Sequence, residues 1–366
     1  MKNKFFRSKL FSVGMIIFLM LFISACGNKS GTIGEFIYTA GWYNDASGNT
    51  IACYWKNGVK TDLTDTSSIA SAWAFGIYVS GSDVYVGGSY ESGANTIGAT
   101  WKNGVRTDLA DVPVGTTETW VESIFVSDSV VYVAGYYKDS LDVYHACYWQ
   151  DGVRIDLTDL PTHDGVTVTS IFVSSSDVYV GGSYTNGAAS VACYWANGVR
   201  TDLVDVPSLG GTQQYAESIF VSGSDVYVSG WYTSADGEHI ATTWENGTMD
   251  ELTTASYNTA RATSIYVNGS DVYAAGFYFD GITNGVACYW MNGVQTDLTV
   301  GTSVEIRLGA PFSIYVIDSD VYVGGSYQET GSGVSIAAMW KNGVKTDLPA
   351  VTGYTAEVES IFVTAL

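Results

Sequence analysis

The chain has 366 residues, with 37 Asp and Glu against 16 Lys and Arg and a formal net charge of −21 at pH 7. Nucleic acid is excluded as a partner, because its recognition needs a basic surface that this composition lacks. The 41 Gly, 26 Tyr and only 5 Pro, without any stretch rich in Ala, Leu, Glu and Lys, favour an all-β fold of short strands.

Residues 1–25 predict an export signal. Four basic residues and no acidic one precede an apolar run over residues 10–22, which is too short to span a membrane as a helix. The run leads into Ile-Ser-Ala-Cys, which resembles the lipobox of bacterial lipoproteins. That resemblance implies cleavage before Cys26 and attachment of acyl chains such as palmitate to it. The alternative is an ordinary signal peptide in which the cysteine occurs by chance.

The mature chain is therefore expected in the cell envelope, outside the cytoplasm, on the outer membrane or the cell surface. Two or three acyl chains hold a protein stably on a membrane, whereas a single chain does not. Residues 26–34 form a short linker, of which 27–34 span at most ~26 Å when fully extended. Loss of the four basic leader residues lowers the formal charge from −21 to −25.

One phrase recurs along residues 35–366. It is ACYWKNGVKTDL at 52–63, and similar sequences return at 146–157, 192–203 and 287–298. We number repeats 1 to 7 by their tryptophan, which recurs every 46 to 50 residues as Trp55, Trp101, Trp149, Trp195, Trp244, Trp290 and Trp340. Each tryptophan is followed by x-[Asn/Asp]-Gly, a pair that closes two-residue β-hairpins.

Each repeat predicts four strands, for which repeat 4 supplies the pattern SIFVS, DVYVGGSY, VACYWA and VRTDL. A period of this length made only of strands is typical of propeller blades. Repeat 1 begins at EFIYTAGWY, which matches a second strand, and the chain ends on SIFVTAL, which matches a first strand. We therefore expect a seven-bladed β-propeller of four-stranded antiparallel blades, closed by pairing of the N- and C-terminal strands in blade 1.

Residues 35–366 resemble the β-propeller superfamily, and the W-x-N-G-x-x-T-D-L phrase resembles the extracellular HAF-type repeats. The Gly-His and Trp-Asp pattern of WD40 repeats is missing, as are the tryptophan docking motif of the pyrroloquinoline type and the sialidase box. The resemblance implies a fold and an extracytoplasmic location but names no ligand.

Cysteine and histidine do not indicate a metal centre. Four cysteines occupy one position in four repeats, namely Cys53, Cys147, Cys193 and Cys288. Equivalent positions on different blades lie too far apart for a disulfide, so buried free thiols are expected. The three histidines are scattered over variable loops without ligand spacing. We expect no metal, no cofactor and a monomeric protein.

Two variable positions indicate a ligand site. The residue before the Tyr that ends each second strand is aromatic or serine, in repeat order Trp42, Ser89, Tyr136, Ser183, Trp231, Phe277 and Ser326. The residue just before the predicted first strand is a glutamate in repeats 1, 3 and 5 only, as Glu359, Glu122 and Glu217. All three glutamates belong to repeats with Trp or Tyr at the other position. We expect the two positions to meet near the mouth of a central channel.

Carboxylates that accept hydrogen bonds beside aromatic faces suit the hydroxyl groups and C–H surfaces of sugars. The predicted ligand-binding residues are therefore Trp42, Tyr136, Trp231, Phe277, Glu122, Glu217 and Glu359. The structural alternative is that the aromatic residues fill space under longer loops and that the glutamates cap strand ends.

The main functional prediction is a lipid-anchored binding or scaffold module whose variable-loop face binds a protein. A lectin-like propeller that binds glycans and an accessory lipoprotein of envelope assembly are the alternatives. A glycan-active enzyme is the least favoured, because the three glutamates stand on alternate blades and only Arg261 and Arg307 remain for the loop face. We predict that the protein is not an enzyme.

Overall fold

The computed structural model describes residues 34–63, 71–157, 165–187, 189–203, 213–252, 259–279, 285–298, 304–305, 313–329 and 333–365. Cys26, the export signal and most of the linker lie outside these ranges. The chain separates into the unit Met1–Gly34 and the unit Glu35–Leu366, and the second carries every described strand. In the described ranges, no helix has the length and apolar character needed to cross a membrane.

The strand bounds follow the repeats. Repeats 1 to 3 contain β1 (Glu35–Asn44), β2 (Thr50–Lys56), β3 (Val59–Asp62), β4 (Ala72–Ser80), β5 (Asp83–Ser92), β6 (Asn95–Lys102), β7 (Val105–Asp108), β8 (Glu118–Ser127), β9 (Val130–Lys138), β10 (Tyr144–Gln150) and β11 (Val153–Asp156). Repeats 4 and 5 contain β12 (Thr167–Ser174), β13 (Asp177–Asn186), β14 (Ala189–Ala196), β15 (Val199–Asp202), β16 (Gln214–Ser222), β17 (Asp225–Thr233), β18 (His239–Glu245) and β19 (Thr248–Glu251). Repeats 6 and 7 contain β20 (Ala260–Asn268), β21 (Asp271–Phe279), β22 (Gly285–Met291), β23 (Val294–Asp297), β24 (Val304–Glu305), β25 (Ser313–Ile317), β26 (Asp320–Glu329), β27 (Ser335–Lys341) and β28 (Val344–Asp347), followed by β29 (Ala356–Ala365).

The strands of each repeat form a four-stranded antiparallel arrangement in chain order, as in β12-β13-β14-β15. A single parallel bridge between Thr96 and Glu118 joins the sheets of repeats 2 and 3, and the short β24 is added to repeat 7. In repeat 1 the first strand comes from the other chain end, because β29 pairs with β1 and places Val363 opposite Ile37.

The first strands of the seven repeats contact one another through an unbroken cycle of aromatic rings. Neighbouring ring centroids lie 4.6 to 5.0 Å apart along Tyr78, Phe125, Phe172, Phe220, Tyr266, Tyr315, Phe362 and again Tyr78. Tilted ring pairs at this separation contribute about 1 kcal/mol each beyond the area they bury. The cycle therefore holds the seven first strands side by side.

The core lies between successive sheets, where the recurring tryptophans pack. All seven are at most 1% exposed. Trp195 of repeat 4, for example, packs in one cluster with Tyr132 and Ala134 of repeat 3. Because every repeat must present the same packing surface to its neighbour, the tryptophan phrase returns in each one.

The Asn-Gly turns form hydrogen bonds with the turn between the first and second strands of the same repeat. Asn103 has φ 51° and Gly104 has φ 82°, the left-handed conformation in which Asn and Gly are favoured. The Asn103 amide donates to Asp83 at 2.8 Å and accepts from the Val84 N–H at 2.9 Å. The same contacts recur around Asn197. This link explains why both turns keep their residue types.

The first strands of repeats 1 to 6 are longer than predicted and contain a β-bulge. In β8 the pairing passes from Val121 opposite Gly135 to Ser123 opposite Ala134, which leaves Glu122 as the extra residue. The extra residues in the first strands of the other five of these repeats are Phe75, Thr169, Glu217, Thr263 and Glu359. A bulge turns the side chain of its extra residue away from the regular alternation.

A glycine in the second strand faces each of these bulges. A Cβ atom on Gly182 would lie 2.1 Å from the Thr167 carbonyl oxygen, and one on Gly135 would lie 1.9 Å from that of Trp120. The same approach recurs at Gly41, Gly88, Gly230 and Gly276. The bulge therefore requires glycine at this position.

The substitution Gly182→Ala tests this requirement. We expect it to lower the free energy of unfolding by about 2 to 3 kcal/mol, because the new methyl group meets backbone that moves only if the bulge opens. The matched control is Gly181→Ala, whose Cβ atom would lie 3.3 Å from the Ile219 Cβ atom and whose position holds Ala in repeats 3 and 6. Urea denaturation measures both, and equal losses would contradict the steric argument.

Candidate functional site

The bulge residues line an inner cavity of about 260 Å³ that is surrounded by the first strands of all seven repeats. Its charged lining consists of Glu122, Glu217, Glu359 and Arg261. The remaining lining residues are Phe75, Gly76, Ser123, Ile124, Thr169, Ser170, Ser218, Thr263, Ser264, Phe277, Ser313 and Ser360. The three glutamates thus lie around one space, although they are separated by 95 and 142 positions in the sequence.

Two glutamates are held by the aromatic residues that the sequence singled out. The Trp42 Nε1–H donates to the Glu359 carboxylate at 2.9 Å, and the Trp231 Nε1–H donates to the Glu217 carboxylate at 2.9 Å. Tyr136 lies close enough to Glu122 for the glutamate charge to raise the pKa of Tyr136, an effect that adds to that of burial. The predicted proximity of the two variable positions is therefore present in repeats 1, 3 and 5.

The predicted role of the aromatic faces needs correction for two of the four residues. Phe277 is 0% exposed and Trp231 is 6% exposed. The Trp231 ring is covered by Tyr215 at 4.4 Å, by His239 at 4.3 Å and by the Arg261 guanidinium at 4.1 Å between centres. The Trp231 ring is therefore covered, and Phe277 lines the cavity without exposed surface, whereas Trp42 and Tyr136 are only half-buried. Trp231 acts instead as a hydrogen-bond donor that positions Glu217.

In repeats 2 and 4, the serine that stands before the Tyr at the end of the second strand has a structural role. The Ser89 hydroxyl accepts from the Val121 N–H of the next repeat at 3.1 Å, and the Ser183 hydroxyl accepts from the Ala216 N–H at 3.0 Å. Serine at this position therefore ties neighbouring repeats together.

The glutamates are unusually hard to ionise. Burial raises the pKa of Glu122 to about 7, with a further contribution from the Glu217 charge. Burial also raises the pKa of Glu359 to about 8; the Trp42 hydrogen bond opposes this, and the nearby Glu357 and Glu122 charges add to it. The pKa of Glu217 is raised by burial against the lowering effects of Trp231 and Arg261. Near neutral pH these carboxyl groups are therefore partly protonated.

Sequence reasoning missed a set of aromatic residues beside this cavity. Trp120 pairs across the strands with Tyr136, and its ring lies 5.7 Å from the ring of Trp73 and 6.4 Å from that of Phe75. All four residues are half-buried. The signal was available in the sequence, because Trp73, Trp120, Tyr215 and Arg261 occupy one position two residues before the bulge. No signal in the sequence indicated the bulge that brings this position next to the aromatic or serine residue of the second strand.

Arg261 was noted in the sequence only as a loop-face residue, and the structure places it in the cavity wall. Its Nη2 donates to the His239 Nδ1 atom at 3.1 Å, and its guanidinium lies over Trp231. Burial and the Arg261 charge both lower the pKa of His239, so this imidazole is a neutral acceptor at pH 7. The guanidinium is thereby fixed on the repeat 5 side of the cavity.

No group of three or more His, Cys, Asp or Glu side chains within the described ranges could hold a metal ion. The four repeat cysteines are free and buried, and burial raises the pKa of each thiol well above its ordinary value. They are therefore unreactive thiols that fill the core.

No protein-family model matches the sequence, and no curated protein matches it. Among solved structures, the chain is similar to the β-propeller domain of the Trilobed protease from Pyrococcus furiosus, with 10% identity and a TM-score of 0.52 over 87% of this chain and 96% of that one. The fold is a β-propeller. The chain is also similar to a puromycin hydrolase, with 9% identity and a TM-score of 0.60.

That match covers 87% of this chain but only 52% of the hydrolase, so this propeller spans about half the length of that enzyme. Another match is the fucose-recognising lectin of Aleuria aurantia, with 9% identity and a TM-score of 0.43 over 77% of this chain and 92% of that one. A similarity that low carries no argument about this chain.

The prediction that the protein is not an enzyme was wrong as an exclusion. The solved structures that share its fold include a hydrolase and a domain of a protease, so the architecture does not separate catalytic from binding proteins. At 9% and 10% identity these similarities show the fold alone and bring no catalytic residue to this chain.

The raised pKa values predict how stability depends on pH. A carboxyl group whose pKa rises from 4.5 to about 7 or 8 on folding stabilises the protein below pH 4.5, and this stabilisation is lost as the pH rises through the folded value. We expect the double variant Glu122→Gln/Glu359→Gln to gain stability over the wild type as the pH rises from 5 to 8, by about 3 kcal/mol per site at most.

Urea denaturation at several pH values measures the difference between the two proteins, in which the titration of all other groups cancels. Gln retains an oxygen that accepts the Trp42 Nε1–H, so the substitution removes ionisation without removing the acceptor. A difference that stays constant from pH 5 to pH 8 would show that the two carboxyl groups titrate normally.

Proposed function

We propose that this chain is an extracytoplasmic β-propeller that binds carbohydrate in its inner cavity. The observation that carries the proposal is the polar cavity of about 260 Å³, in which Trp42 and Trp231 fix two carboxylates. Fixed carboxylate and hydroxyl oxygens accept hydrogen bonds from sugar hydroxyl groups, and half-buried aromatic residues pack on sugar C–H surfaces. A cavity of this size suits a small ligand better than a protein surface.

We also propose that the propeller has seven blades and is closed by β29. The register that sets Val363 opposite Ile37 supports this, as does the aromatic cycle that runs through the seven first strands and returns to Tyr78. A closed ring leaves no exposed sheet edge between the first and last repeats. It also surrounds the cavity with the first strands of the repeats, which accounts for the partial burial of the three glutamates.

The predicted protein ligand and the predicted role in envelope assembly both depend on the variable loops. Much of that face, including residues 204–212, 253–258 and 306–312, lies outside the described residues. Both therefore stay predictions, and the inner cavity supports the carbohydrate alternative in preference to them.

Carbohydrate binding is tested with the full mature chain on a glycan array. We expect a sugar hit that free sugar competes, and we expect the triple variant Glu122→Gln/Glu217→Gln/Glu359→Gln to lose at least tenfold in affinity. The loss follows because a carboxylate accepts stronger hydrogen bonds than a neutral amide does.

The matched control is Asp62→Asn/Asp108→Asn/Asp202→Asn, which removes the same charge from the fourth strands. There Asp108 and Asp202 pair with Arg106 and Arg200 at 3.0 and 2.8 Å, away from the cavity. Equal binding by both triple variants would contradict a carbohydrate site at the three glutamates.

Attachment to the envelope through Cys26 is a separate proposal, supported by the lipobox-like sequence alone. In a bacterial host we expect the wild type in the membrane fraction and labelled by radioactive palmitate, and we expect Cys26→Ser to be unlabelled and released from membranes. The control is Cys193→Ala, because repeats 2 and 7 already hold Ala at that position. A membrane-bound Cys26→Ser protein would exclude the lipid anchor.

A further inference from the structure

The inner cavity has an unbalanced charge. Of the described residues that line it, three are carboxylates and one, Arg261, is a cation. Arg261 donates to the neutral His239, lies over the Trp231 ring and acts through its charge on Glu217, while its Nε has no hydrogen-bond partner. No cation among the described lining residues faces Glu122 or Glu359. When Glu122 and Glu359 are both ionised, a ligand that fills the cavity must therefore supply the positive charge that balances them.

Glu122 differs from the other two glutamates, because no hydrogen bond or ion pair to its carboxyl group is found among the described residues. Glu359 and Glu217 each accept a tryptophan N–H, whereas the neighbouring Ser123 hydroxyl is engaged by the Ile171 N–H of the next repeat at 3.2 Å. Glu122 is half-buried and lines the cavity. A carboxyl group that the protein leaves without a partner is open to a ligand that donates a hydrogen bond to it.

The carboxylate charges and the unpaired Glu122 limit the chemical class of the ligand. An anion is repelled by the three carboxylates, and the absence of a described metal-binding cluster argues against a bare metal ion. A neutral sugar offers hydroxyl donors but no positive charge to the ionised forms of Glu122 and Glu359. A primary ammonium group supplies one positive charge and three N–H donors, and it forms charge-assisted hydrogen bonds with carboxylates. Phe75, beside Glu122, supplies a half-buried apolar face for the carbon skeleton of the ligand.

We propose that the ligand of the inner cavity carries a protonated primary amine that binds Glu122 and Glu359, and that it is therefore an amino sugar with a free amine. This inference rests on the proposed carbohydrate function and names the class of sugar.

Binding then displaces protons. The groups that face Glu122 are Glu217, Glu359 and Tyr136, and those that face Glu359 are Trp42, Glu357 and Glu122. The ammonium group replaces a proton held by these carboxyl groups, and the proton passes to the solvent buffer. Affinity for the amine should fall as the pH is lowered from 8 to 6, because protonated glutamates no longer attract the ammonium charge.

The test is isothermal titration calorimetry of the full mature chain at pH 7.5. The probes are glucosamine and galactosamine, their N-acetylated forms, glucose and galactose, and 1,4-diaminobutane. We expect at least one hexosamine to bind tenfold or more tightly than both its N-acetylated and its parent sugar. Titration in buffers with different ionisation enthalpies should show release of up to one proton for each hexosamine bound.

The variant Glu122→Gln should reduce hexosamine affinity at least tenfold and reduce proton release, while the outer-strand triple Asp→Asn variant changes neither. Thermal unfolding of each variant shows that it is folded. Phe75→Leu, which keeps an apolar surface and every charge, should alter affinity for all sugars alike without changing proton release.

The outcomes separate this inference from the proposed function. If N-acetylated or parent sugars bind as tightly as the hexosamines, the amine inference is wrong and carbohydrate binding stands. If 1,4-diaminobutane binds and no sugar does, carbohydrate binding is wrong and only an amine site remains. If no probe binds, both are overturned.

Discussion

The β-bulge in the first strand of repeats 1 to 6 is the constraint on which the rest of the site depends. It is formed where a second-strand glycine lets its backbone approach a carbonyl oxygen that any Cβ atom would strike. Without the extra residue, the side chain of Glu122 would follow the strict alternation of a strand. With it, the extra residue of each of these six strands lines the inner cavity. The extra residues of these bulges thus form one common interior surface.

The residues that recur in every repeat form the scaffold, and the residues that differ between repeats form the site. The tryptophans, the Asn-Gly turns and the aromatic cycle recur because each repeat packs against the next in the same way. At the bulge position the same backbone presents Phe75, Glu122, Thr169, Glu217, Thr263 and Glu359. Because the backbone is held by the repeated contacts, these residues vary without altering the fold.

Much of the fold was predictable from local sequence patterns. Alternating apolar residues and Asn-Gly turns are short-range features, so the strands and the hairpins followed directly. The neighbourhood of Tyr136 and Glu122 was also predicted, since the hairpin between the first and second strands brings the two positions together. The covered face of Trp231 was not predicted, because Tyr215, His239 and Arg261 reach it from two repeats. Nor was the length of the first strand, because residues before the bulge carry no regular alternation.

By itself, the sequence determined seven similar repeats, their strands and turns, their recurring tryptophan core and the two variable positions, because each of these depends on residues near one another along the chain. Only the tertiary structure decided which side chains enter the inner cavity, which aromatic rings are covered and which carboxyl group lacks a partner. Those properties depend on a one-residue shift in strand pairing and on contacts between residues 32 to 317 positions apart in the sequence, for which no local pattern exists.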